Sequence, residues 1–157
     1  MPLSVRPLLV ALLLLLAAAP ASLAQALQTF PTGEVTIESA GGPHKFTVEI
    51  ATTPAQMEQG LMFRRTLAPD AGMLFVFKTP SKAAMWMKNT VIPLDMLFID
   101  AQGRVINIAE RRVPESLDTI GADAPARAVL ELNGGTAQRL GIKPGDRVSS
   151  PALGNAS

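Results

Sequence analysis

Cysteine is absent from this 157-residue chain. Its absence excludes disulfides, thiolate metal sites and a cysteine nucleophile. It also excludes a lipid anchor on an N-terminal cysteine. Histidine occurs once, as His44, so there is no imidazole pair for zinc. No serine lies in a nucleophile elbow, and no glycine-rich loop has the spacing that cradles a phosphate. An excess of one charge is missing too: 14 basic residues stand against 13 acidic ones. A nucleic-acid binder would show a basic excess, and no long basic tract points to an anionic membrane surface. There are no internal repeats. The sequence therefore implies no cofactor, no metal and no nucleic-acid partner.

What is present begins with a leader. Arg6 is the only charge before residue 34. An apolar run from Leu8 to Ala19 follows, Pro20 breaks it, and Ala21-Ser22-Leu23-Ala24 places small residues where signal peptidase reads. The run is short of the roughly 20 apolar residues that a membrane span needs. Residues 1–24 are thus expected to be a cleaved signal, with cleavage after Ala26 as the alternative, and the protein to be periplasmic or secreted without a stable membrane anchor. Removing Arg6 from the 14 basic residues leaves 13 against 13 acidic, a formal charge of zero. The remainder, about 130 residues, is one ordinary domain. It is expected to span 25–150, to be monomeric, and to end in a disordered tail at 151–157.

The pattern along that domain is β-rich. Glu34–Ser39 and Lys45–Ala51 alternate, with Phe46, Val48 and Ile50 inward, around a turn at Gly41-Gly42-Pro43. Thr53-Pro54-Ala55-Gln56 reads as a helix start with a capping box. Gly72–Phe77 is a continuous apolar run, as in a strand buried on both faces. Ala84–Met87 reads as a short strand, and Pro93 places the next bend or edge. Asp95–Ile99 and Arg104–Glu110 form a hairpin around Asp100-Ala101-Gln102-Gly103, which has the residues of a type I turn. Arg127–Leu132 is a strand, Gly134–Leu140 a short helix ended by Gly141, and Arg147–Ser149 a last strand. Many short strands with Gly/Pro turns predict a mainly β fold, a jelly-roll-like sandwich or barrel carrying two short helices. Phe46, Val48, Ile50, Leu74, Val76, Phe98, Ile106, Ile108, Leu130 and Leu132 are expected to share one core.

Five blocks carry a family resemblance: Gly60-Leu61-Met62-Phe63-Arg64, Gly72–Phe77, Met85–Asp100, Val129-Leu130-Glu131-Leu132 and Gly141–Asp146. In order and content they resemble the DUF192 (COG1430, UPF0127) family. The resemblance covers roughly Phe46 to Ser149. It implies a jelly-roll-like β fold and an exported protein, and it brings no catalytic residues. Asn133, after the Val-Leu-Glu-Leu block, departs from the small or proline-like residue expected there.

Candidate site residues therefore come from chemistry. Lys88-Asn89-Thr90 offers an ammonium, an amide and a hydroxyl in succession beside Trp86, the sole tryptophan. An aromatic face with adjacent hydrogen-bonding groups suits a small polar ligand. Asn and Thr also shape turns, and Trp is commonly core, so plain structural use competes with this reading. Asp95 heads an apolar strand, where a carboxylate must be paired or hydrogen-bonded; Arg64, Arg65 and Lys88 are its candidate partners. Glu131, alternating away from Leu130 and Leu132, reads as surface. Arg64-Arg65 and Arg111-Arg112 are short basic pairs of the kind usually found solvated.

The reading favoured is a non-enzymatic module that binds a small polar ligand or a partner protein, with Trp86, Lys88, Asn89, Thr90, Asp95 and Arg64 as the site. Two alternatives come from other classes. One is an enzyme with Asp95 as base and Lys88 or Arg64 stabilising charge. The other is a periplasmic Cu(I) protein using Met85, Met87 and Trp86, because thioethers are soft ligands, although methionine also fills core gaps. N-terminal sequencing of the exported protein is expected to begin at Gln25; recovery of residues 8–19 in a membrane fraction would refute the cleaved leader.

Overall fold

Alternation builds the first hairpin. The computed structural model describes residues 27–155, so the leader expected at residues 1–24 lies outside the described residues. Strand β1 (Thr32–Ser39) pairs antiparallel with β2 (Gly42–Ala51), and Val35, Ile37, Phe46 and Val48 point to one side, buried. Helix α1 (Pro54–Gln59) starts as the sequence predicts. Thr53 accepts from the Gln56 N–H, the Gln56 amide oxygen accepts from the Thr53 N–H, and Pro54 occupies the first turn. The chain then returns to lay β3 (Ala71–Ser81) parallel to β2.

The strands that follow are short. β4 (Ala84–Met85) pairs with β7 (Ile120–Gly121) in a two-stranded ribbon. β5 (Leu94–Ile99) pairs with β6 (Val105–Arg112) and with β8 (Ala126–Asn133), and β8 lies against β3. α2 (Thr136–Leu140) and β9 (Arg147–Ser149) complete the order. The main sheet runs β6-β5-β8-β3-β2-β1-β9. It curls until its edges touch: Arg104 bridges Arg147, and the Val148 N–H reaches the Gly103 carbonyl at 2.7 Å. Gly103 is held to glycine there. Its φ is +79°, and a Cβ would lie 2.6 Å from the Val148 carbonyl oxygen. The β5–β6 turn has the expected form, with the Gly103 N–H on the Asp100 carbonyl at 3.1 Å.

The fold is mainly β with two short helices, a curled seven-stranded half-barrel. The expectation of one core is corrected, because the sheet is buried on both faces. Inside the curl, Phe46, Val48, Leu74, Val76, Leu130 and Leu132 pack with Val35, Ile37 and Val148; Ile50 and Ile108 pack against their edge. On the outer face Phe98 joins Met73, Phe75, Met96 and Val129, with Ile106 against them. Ile106 and Ile108 diverge because β6 carries an extra residue: Phe98 faces Asn107 while Ile99 faces Val105. A bulge of this kind breaks strict alternation.

The stretch from residue 151, read as a disordered tail, is built into the fold through Asn155. Pro151–Leu153 form a 3-10 helix, Leu153 packs on the inner core, and Asn155 bonds Ser150 and Val148. Residues 156–157 lie outside the described residues. Asn133, the departure from the family pattern, donates to the Leu67 and Ala68 carbonyls, 3.0 Å each, and ties the end of β8 to the loop before β3.

Asp95 is the buried clamp of the β5 end. One carboxylate oxygen accepts the Arg111 N–H at 2.8 Å and the Gly135 N–H at 2.9 Å; the other accepts the Ala137 N–H at 2.8 Å. It thereby caps α2 from another strand, since Gly135 has no side chain to do so. A second slip in β6 pairing and a positive φ of 46° at Arg111 turn that N–H inward. Asp95→Ala leaves three backbone donors without a partner and is expected to destabilise the protein by about 3 kcal/mol or more. Phe98→Ala is expected to cost about 3–5 kcal/mol. Denaturant melts of both variants measure this, and a loss under about 1 kcal/mol for either would refute its assigned role.

Candidate functional site

Two segments cover the outer face of the central strands. α1 and the turn after it come from one side, and the chain from Ala83 to Ile92 from the other. They do not close completely. A cavity of ≈ 80 Å³ remains, floored by Phe75 of β3 and Glu131 of β8 and walled by Met57, Leu61, Met62, Met85, Trp86 and Thr90, with Lys88 also lining it. A larger recess of ≈ 280 Å³ adjoins it, sharing Met62, Trp86 and Lys88 and adding Leu27, Phe63 and Asn89. Gly60 makes the inner cavity possible. It ends α1 with φ +47°, and a Cβ there would lie 3.0 Å from the Phe75 ring.

The mouth is built from strained backbone. Asn89 and Phe63 both adopt left-handed conformations, φ 54° and 66°. The Phe63 N–H donates to the Asn89 carbonyl at 2.9 Å, and the Asn89 amide contacts the Met62 sulfur at 3.8 Å. For a residue as bulky as phenylalanine that conformation costs about 1–2 kcal/mol. Even so, its side chain is 62% exposed, and Trp86 is 45% exposed beside it. Lys88 Nζ lies over the Trp86 ring, 4.9 Å from its centroid, at cation–π distance. Thr90 is buried and holds the loop: its hydroxyl donates to the Lys88 carbonyl at 3.2 Å, and its carbonyl accepts the Glu115 N–H at 3.0 Å.

Glu131 is the residue that strand alternation misplaces. It is only 4% exposed, in the middle of the sheet, with Met73 of β3 and Met96 of β5 as its lateral neighbours. Its carboxyl makes no hydrogen bond or ion pair with any described residue. Burial without a partner pushes its pKa from 4.5 up to about 8. The clue was in the sequence: Val129 and Leu130 are adjacent apolar residues, so β8 is buried on both faces and position 131 points inward whichever face it takes.

The structure brings Trp86 and Lys88 to both compartments, Thr90 to the inner cavity and Asn89 to the adjoining recess. It leaves out Asp95, whose oxygens are engaged by three backbone donors and which lines neither compartment. It also leaves out Arg64, which pairs with Glu49 at 2.7 Å. Neither lines the cavity, so the enzyme reading loses Asp95 as its base and Arg64 as one of its two charge stabilisers, while Lys88 stays at the cavity. The copper set divides as well. β4 ends at Met85, and Met87 is fully buried in the outer core while Met85 and Trp86 line the cavity.

Comparison with known proteins follows the same outline. The family model DUF192, described as uncharacterized ACR, COG1430, matches residues 35–150. Two crystal structures are similar. A candidate transcription regulator from Sinorhizobium meliloti 1021 is 47% identical with a TM-score of 0.77, over 81% of this chain and 99% of that one. A protein of unknown function from Novosphingobium aromaticivorans DSM 12444 is 44% identical with a TM-score of 0.76, over 85% and 91%. No curated protein matches the chain.

The raised pKa of Glu131 makes stability depend on pH. The unfolded carboxyl titrates near 4.5 and the folded one near about 8, so between those values the native state holds the extra proton. The contribution of Glu131 to stability is therefore greatest below the lower value, falls as pH rises, and levels off above the upper one, a total loss on the order of 4–5 kcal/mol. Glu131→Gln removes this dependence. Its melting temperature at pH 9 is expected to exceed the parent's by at least about 5 °C, and equal melting curves across that pH range would refute the assignment.

Proposed function

The chain belongs to the DUF192 family, and on that footing we propose that it is an exported, non-enzymatic module that holds a small polar ligand in the cavity beneath Trp86. One observation carries this reading: a buried carboxyl without a partner among the described residues, at the floor of a cavity whose mouth is a strained, exposed aromatic. A domain has no structural use for an unpaired buried carboxyl, which lowers stability. Residues that weaken a fold persist where they serve binding. The neighbouring groups suit recognition. The Trp86 face offers a stacking surface, Lys88 and Asn89 offer donors at the rim, and Thr90 fixes the loop that carries them.

The leader in residues 1–24 supports export to the periplasm or beyond. Among the described residues no helix is long and apolar enough to cross a membrane. Regulation of transcription, named for the Sinorhizobium relative, would call for a basic face. With 13 basic and 13 acidic residues after the leader, this chain has no such excess, and the proposed partner is a small molecule bound by a monomer.

Native mass spectrometry of the protein purified from its own periplasm tests the proposal. The parent is expected to retain a small molecule. Trp86→Ala and Lys88→Ala are expected to lose it while melting within about 2 °C of the parent, as exposed substitutions do. Unfolding of both variants, or retention of the molecule by both, would make the motif scaffold.

A further inference from the structure

Lys88 and Glu131 line the same ≈ 80 Å³ cavity, yet they form no ion pair; Lys88 instead rests its ammonium on Trp86. Opposite groups that share so small a space and stay apart leave one acceptor and one donor unanswered. We propose that the cavity binds a free α-amino acid with an apolar side chain, its ammonium on Glu131, its carboxylate on Lys88 and its side chain in the outer recess. This deepens the binding reading above and rests on it.

Size and lining divide the ligand this way. The inner cavity has room for a compact head, a few times the ≈ 30 Å³ share of one water. Both charged contacts line that cavity, so both ligand charges must sit at the same end of the molecule. The adjoining ≈ 280 Å³ recess is faced by Leu27, Phe63 and Trp86, which suits an unbranched or branched apolar chain.

The charged side chains lining the two compartments are Glu58 of α1, Lys88 of the covering loop and Glu131 of β8. The strand neighbours of Glu131, Met73 and Met96, are uncharged. With its pKa near about 8, Glu131 carries its proton at neutral pH in the empty protein. An arriving ammonium favours the ionised form, so binding releases that proton to solvent. Apparent affinity then rises about tenfold per pH unit toward the pKa of Glu131 and flattens above it.

The sole tryptophan lines both compartments, so its fluorescence reports occupancy. The test titrates the full mature protein, freed of retained molecules by refolding, with norleucine, pentylamine and hexanoate at pH 6 to 9. Norleucine is expected to bind at least tenfold more tightly than either single-charge probe, with the pH rise described. Glu131→Gln is expected to reduce norleucine to the level of hexanoate and to abolish the pH rise. Lys88→Met, which keeps the apolar stem, is expected to reduce it to the level of pentylamine. Equal binding of norleucine and hexanoate, or an unchanged affinity in Glu131→Gln, overturns the inference. If none of the three probes binds while native mass spectrometry still finds a retained molecule, the amino-acid assignment falls and the binding reading stands. If no probe binds and nothing is retained, both fall.

Discussion

Burial of β3, β8 and β5 on both faces governs the rest of this structure. A sheet curled into a half-barrel needs only its inner face covered by its own curvature. Here the central strands are apolar on the outer face too, with Met73, Phe75, Met96, Phe98 and Val129 facing the segments that lie above them. Leaving that patch in water would be unfavourable at roughly 25 cal/mol per Å². α1 and the segment from Ala83 to Ile92 therefore pack onto it. Covers made of a short helix and an irregular loop do not fit together without gaps, and the gap that remains lies over Glu131.

Two buried acids show how differently the fold treats one chemical group. Asp95 receives three backbone N–H donors and joins β5, β6 and α2 at one point. A carboxylate so satisfied is a structural member. Glu131 receives none from the described residues and faces a cavity. Burial is nearly the same for the two; the supply of donors differs, and it separates scaffold from site. The same criterion disposes of Arg64, whose guanidinium is already matched by Glu49.

The family blocks acquire physical meaning on this frame. Gly60-Leu61-Met62-Phe63 forms one lip of the cavity, Met85–Thr90 the other, and Glu131 of the Val129-Leu130-Glu131-Leu132 block lies at its floor, although the three are far apart in the chain. The lips are linked by the bond from Phe63 to Asn89, between two residues in left-handed conformations. Strain of this kind persists only where surrounding contacts hold it, here the packing of Leu61 and Met87 into the outer core.

The sequence by itself determined the β class, the hairpins, the capping box at Thr53 and the polar cluster after Trp86, because each depends on near neighbours: period-two alternation, turn residues, and a cap reaching three positions along. It also contained the resemblance to the family. Only the tertiary structure decided which face Phe98 and Ile106 share, since one extra residue in β6 reverses every later side chain. It also decided that the chain through Asn155 is ordered, by contacts with Val148 and Ser150. Above all it decided the roles of Asp95 and Glu131. Local pattern marks an acid in an apolar strand as costly, but whether donors meet it is settled by residues 16 to 42 positions away for Asp95, and by the absence of any among the described residues for Glu131. That is a property of packing, and alternation along one strand does not contain it.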